Sequence, residues 1–168
     1  MDSTSLDKLL NDPSKRQFWL KPIGYPKDHP EWDAFESRKW TQSQIEVQFA
    51  KSPATIALND IIIAYRIKLS TLIYVAERLP VSEWGKLENR PEYDKKRWPH
   101  CIKARNLTPE FGNVWKQHSF QPFALAKEYN STHPKDPVHL GSIQRGNDKA
   151  AIPRAFAEFL IRLIRNAT

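Results

Sequence analysis

The chain is poor in the residues that most catalytic and metal-binding signatures require. A single cysteine, Cys101, excludes an internal disulfide and a multi-thiolate zinc site. The five glycines form neither a G-x-G-x-x-G fingerprint nor a phosphate-cradling P-loop, and there is no G-x-S-x-G elbow. No stretch approaches the roughly 18 consecutive apolar residues that a membrane-spanning helix needs. The first 18 residues mix acids and bases without an apolar core segment, so no signal peptide is expected. These absences give the expectation of a cytoplasmic protein that does not contact a membrane.

The scattered candidates for catalysis do not assemble. Cys101 follows His100 in a segment that reads as a strand, where adjacent side chains point to opposite faces, so this histidine cannot activate that thiol. His133 and His139 flank a proline-rich loop but lack a cysteine or carboxylate pair to complete a ligand set. Glu88 and Glu92 read as solvated decoration. The expectation is a binding protein with no catalytic residues, no cofactor and no metal.

The composition is more informative about binding. A length of 168 residues with 40% hydrophobic side chains fits one domain with a proper core. The net charge is +7, and the whole surplus falls after residue 85, the first 85 residues being balanced. A one-sided positive face follows from such asymmetry. Six tryptophans are present.

Residues 1–16 read as a flexible leader and 17–168 as a single domain. Phe18-Trp19-Leu20-Lys21 reads as a strand closed by turn chemistry at Pro22–Pro26. Asp28 and Glu31 form a capping box for a helix ending near Trp40. Asn59-Asp60 is a turn before Ile61–Tyr65, a strand apolar on both faces, with Thr71–Val75 as its hairpin partner. Residues 81–96 read as a long polar loop and Trp98–Arg105 as a third strand. Phe111, Val114, Trp115 and His118 share one helix face behind the Thr108-Pro109 cap, and a short helix is expected over 122–129. The segment 106–137 is a helical insertion and a possible protein-partner surface. A hairpin of 140–143 with 149–152 precedes a closing helix with Phe156, Phe159, Leu160 and Leu163 on its core face and an Arg154–Glu158–Arg162 ladder on its wet face. Strands separated by single helices predict an α+β fold around a small mixed β-barrel of five or six strands.

Two patterns suggest nucleic acid as the partner. Lys95, Lys96, Arg97, Lys103 and Arg105 crowd five cations around the third strand, which favours phosphate contacts that are tight, salt-sensitive and blind to sequence. Trp40, at an element boundary, and Trp84, in the polar loop, are placed to offer flat walls to a splayed base. Trp19, Trp32, Trp98 and Trp115 fit element periodicity and read as core.

The arrangement resembles the EVE and YTH domains of the PUA-like superfamily, small β-barrels with flanking helices. The likeness rests on Phe18–Lys21, on Lys39-Trp40-Thr41, on the hairpin over 60–75, on Trp84 standing ahead of Lys96-Arg97-Trp98, and on the ending at Ile152-Pro153 with its amphipathic helix. The chain departs from the family pattern at Pro22, where the family carries serine, and in the third cage wall, for which Leu87 or Tyr93 are candidates. The resemblance implies a non-enzymatic reader of a modified or flipped base in RNA or DNA. Trp40 and Trp84 would be its cage walls, with Thr41 beside them. Tyr65 would floor the pocket, Lys21 would reach the base edge or adjacent phosphate, and Lys95, Lys96, Arg97, Lys103 and Arg105 would hold the backbone. Two alternatives stay open: a backbone-binding module indifferent to modification, and a protein-interaction scaffold using 106–137.

Overall fold

The computed structural model describes residues 3–12, 14, 16–24, 37–80, 92–144 and 148–168. Six strands make one mixed sheet: β1 (Phe18–Ile23), β2 (Gln44–Phe49), β3 (Ile61–Arg66), β4 (Thr71–Arg78), β5 (His100–Asn106) and β6 (Ala150–Ile152), in the spatial order β2-β5-β4-β3-β1-β6. The helices are α1 (Ser3–Asn11), α2 (Glu92–Arg97), α3 (Phe111–Val114), α4 (Pro122–Thr132), α5 (Gly141–Gln144) and α6 (Arg154–Asn166), with a 3₁₀ turn at Trp115–Gln117. The architecture is α+β with flanking helices.

β3 and β4 sit at the centre because their side chains tolerate burial on both faces. All six residues of β3 and the first six of β4 are buried. β1 runs parallel to β3 and antiparallel to β6, while β3–β4, β4–β5 and β2–β5 are antiparallel. Asp60 fixes the entry to β3. Its buried carboxylate accepts from Gln17 N (3.1 Å), Trp19 Nε1 (3.0 Å) and Ala57 N (2.8 Å), tying β1 to the turn in which Asn59 adopts φ 66°.

The expected closed barrel does not form. β2 and β6 are the sheet edges, and no ladder joins them among the described residues. β6 is three residues long and is used entirely in pairing with Phe18–Leu20 of β1. The segments beyond the two edges meet through side chains instead: Lys51 N donates to Asp148 Oδ2 (3.0 Å), and Lys149 Nζ lies 6.0 Å from the Phe49 ring. The sheet is curled but open.

Five further expectations are corrected. The leader carries α1, whose Leu6 and Leu9 are buried in the core. Asp7 pairs with Arg165 of α6 at 2.6 Å, and Arg154 donates to Ser14 O at 2.9 Å. β2 was not anticipated, although Ile45, Val47 and Phe49 alternate as a strand requires. The expected hairpin of 140–143 with 149–152 does not form: Gly141–Gln144 is the helical turn α5, and β6 pairs with Phe18–Leu20 of β1 instead. In α6 the buried stripe is Phe156, Ala157, Leu160, Ile161 and Ile164, with Phe159 and Leu163 half-buried at its flank. The Arg154–Glu158–Arg162 ladder is present, at 2.9 and 3.7 Å. Most of the helix expected over 28–40 lies outside the described residues, as do residues 81–91 of the loop expected over 81–96; the rest of that loop is instead helical, as α2.

Candidate functional site

β6 covers only the first half of β1, so Lys21, Pro22 and Ile23 have a strand partner, β3, on one side alone. A proline is tolerated there for that reason. A cavity of about 410 Å³ opens beside this uncovered stretch. Its β1 wall is Lys21, Pro22 and Gly24; Arg97 and Trp98 come from the α2–β5 junction, and Phe123 from α4. Ile143 of α5 and Asp148 also line it, as do Tyr65 and the Ile67–Ser70 turn. Tyr65 stands at a register irregularity in the β3–β4 ladder, between Ala64 and Tyr65, and such bulges re-aim side chains. It meets Phe123 edge-on at 5.7 Å.

A second hollow of about 20 Å³, room for roughly one water, adjoins the first and shares Lys21, Pro22, Gly24 and Trp98 with it. Its far walls are Trp40, Tyr74, Ile45, Glu46 and Gln48. Strand register explains one row of this wall: Lys21 aligns with Ala64, and Ala64 with Tyr74.

Lys21 is the pivot of both spaces. It is 3% exposed, its Nζ donates to Pro22 O (2.9 Å), and it lies 4.9 Å from the Phe49 ring centroid. Burial pulls its pKa down to about 8; Asp148 opposes that shift and Lys149 adds to it. Burial also raises the Tyr65 phenol to about 12, so that hydroxyl is neutral at physiological pH. The site therefore sets a cation, a carboxylate and three rings (Tyr65, Trp98 and Phe123) around one hollow. Its volume lies within the roughly 300–1,000 Å³ typical of small-molecule pockets.

The candidate residues from the sequence are partly brought together. Lys21 and Tyr65 line the larger cavity. Trp40 is 1% exposed and touches only the small hollow. Its ring packs edge-on against Trp115 at 5.3 Å, and its carbonyl accepts from Asn106 Nδ2 at 2.8 Å. Thr41 is exposed, lines neither space, and donates to Arg38 O at 3.0 Å. Trp84 and Leu87 lie outside the described residues, as does the side chain of Tyr93.

The five cations do not form one patch. Arg97 lines the large cavity, with its guanidinium 5.5 Å from the Trp98 ring, and Lys95 and Lys96 are exposed on α2. Lys103 is 5% exposed and pairs with Glu46 at 3.4 Å, its direct partner across the β2–β5 ladder. Arg105 lines a separate cleft under α1, 3.7 Å from Glu77. Their cross-strand neighbours, Glu46 on β2 and Glu77 on β4, engage these two charges.

Trp98, Phe123 and Asp148 line the cavity without having been singled out as site residues. Trp98 read as core from its alternation with His100 and Ile102. It instead precedes β5 and is half-buried, and the Arg97-Trp98-Pro99 break was the available signal. Among the described residues no cluster of histidine, cysteine and carboxylate is arranged to hold a metal ion, and no helix is long and apolar enough to cross a membrane. Comparison with protein-family models, with curated proteins and with solved structures finds no match for the chain.

Proposed function

We propose that the protein is a non-catalytic nucleic-acid reader of the PUA-like, EVE/YTH type, which takes one unpaired or extruded base into the cavity beside Lys21 and Trp98. The observation that carries this reading is the convergence, in one open hollow of about 410 Å³, of a buried lysine, the Asp148 carboxylate and three aromatic rings, with Arg97 on the same wall. Rings supply stacking that any base can use, worth about 1–3 kcal/mol per base. Lys21 and Asp148 supply a donor and an acceptor for the polar edge. Arg97, Lys95 and Lys96 hold the neighbouring phosphates; Lys103 and Arg105, engaged elsewhere, take no part.

Selectivity for a modified base comes from the small hollow behind Lys21 and Trp98. A methyl group carried on the base enters it against Trp40 and Tyr74 and contributes about 0.8 kcal/mol, roughly fourfold in affinity. Trp40 is thus a back wall, not one face of an open sandwich.

The test is fluorescence anisotropy with short single-stranded oligonucleotides carrying one methylated or one unmodified base, in RNA and DNA. The expected result is tighter binding of a methylated strand. Trp98→Ala should cost about 1–3 kcal/mol of affinity while leaving the thermal midpoint near that of the parent, because this ring is only half-buried. Equal binding of all strands with a steep salt slope, unchanged in Trp98→Ala, would reduce the protein to a backbone binder and refute the base pocket.

A further inference from the structure

The β3–β4 turn carries an exposed apolar tip at the mouth of the cavity. Among the described residues three large hydrophobic side chains are exposed: Leu58, Ile67 and Leu69. Two of them fall in the four-residue turn Ile67-Lys68-Leu69-Ser70. Ile67 and Ser70 line the large cavity, whereas Leu69, at the apex and 49% exposed, does not.

The turn is held firmly at both ends. Ile67 N donates to Ile23 O at 2.9 Å, and Ser70 N donates to Ile67 O at 3.1 Å. Thr71 Oγ1 donates to His118 O and Leu72 N to Phe120 O, each at 2.9 Å. Ile67 packs over Gly24, where a Cβ would sit 3.2 Å from Ile67 Cδ1. Ser70 takes φ 48°, a left-handed conformation the closed turn imposes. A leucine at the apex of so constrained a turn is presented to a partner already in place, without an ordering cost on binding.

We infer that Leu69 is a wedge that enters the base stack of a duplex and fills the gap left when a base is drawn into the adjoining cavity. This inference rests on the proposed base pocket and deepens it: the partner becomes a double helix with one base extruded, and not only a single strand. Opening a stack is costly, and apolar side chains inserted between base steps are a recurrent means of offsetting that cost. The turn's sequence favours this occupant over another protein. Lys68 sets a cation between the two apolar side chains, and Arg97 lies on the wall of the same cavity. Alternating apolar and cationic groups match a stack of bases flanked by phosphates.

The experiment compares the parent protein with Leu69→Ser and Leu69→Met on two probes: a single strand with the methylated base, and a duplex with the same base in its Watson–Crick pair and 2-aminopurine as its 3′ neighbour. The parent should raise 2-aminopurine fluorescence as the target base leaves the stack. Leu69→Ser should weaken duplex binding by about tenfold or more and abolish the fluorescence rise, while single-strand affinity stays at the parent value. Leu69→Met, still long and apolar, should restore both duplex readouts. Duplex binding unaffected by Leu69→Ser, or weakened equally with single-strand binding, overturns the wedge while leaving the pocket standing. A parent protein that binds neither probe through Trp98 overturns the pocket itself, and the wedge with it.

Discussion

Replacing Lys21 by methionine tests the electrostatics of the cavity without needing a ligand. Methionine is unbranched and of similar reach, so it keeps the volume and removes the charge. The folded-state pKa of about 8 lies below the ordinary 10.5, so the native protein releases this proton more readily than the unfolded chain does. Between those two values the unfolded chain binds more protons, and stability rises with pH through that window. Below pH 8 both states are protonated, and the cost of burying the charge is fully present. At 1.36 kcal/mol per pH unit that cost is roughly 3 kcal/mol. Tyr65 acts in the opposite direction at higher pH: its phenol is raised from 10.0 to about 12, so folding loses stability as pH rises across that interval. The parent's stability should therefore climb from pH 8, turn over near pH 10 and fall. Lys21→Met should lack the climb and keep the fall. At pH 7 it should equal or exceed the parent, the gain reduced by loss of the Nζ bond to Pro22 O and of the contact with Phe49. Urea unfolding followed by tryptophan fluorescence, in steps from pH 7 to 11 at constant ionic strength, measures both curves. The same climb in parent and variant between pH 8 and 10 would refute the assignment of a buried, charged lysine to this site.

Two structural predictions bear on how the cavity is held. A Cβ on Gly112 would sit 2.2 Å from Trp40 O, so Gly112→Ala should push the Trp40 turn outward; the overpacking should cost about 1–3 kcal/mol in chemical denaturation. Asp60→Ala should leave three donors, at Gln17, Trp19 and Ala57, without their shared acceptor. It should destabilise the protein by roughly 3 kcal/mol or more, seen as a lowered urea midpoint, with amide exchange accelerated first at the β1–β3 junction.

Much of the fold was legible in local patterns. β3 announced itself as an uninterrupted apolar run, its turn as Asn59-Asp60, and α6 as a 3.6-residue stripe with its ion-pair ladder. Lys21 and Tyr65 reach the cavity because both sit on strands that the sequence marks plainly. Trp98 was misread because alternation assigns a side chain to a face only when the strand has already begun. Lys103 and Arg105 show the same limit from the other side: a cation's neighbours in sequence do not reveal Glu46 or Glu77 waiting on another strand.

By itself, then, the sequence determined the α+β class, the identity of the central strands and the excess of positive charge, since each follows from interactions within a few residues along the chain. The tertiary structure decided which charges remain available, whether the sheet closes, and where a hollow opens. Those depend on pairings between distant strands: the shortness of β6 leaves half of β1 uncovered, and the curl of the open sheet brings Lys21, Trp98 and Asp148 around one space that no local pattern records.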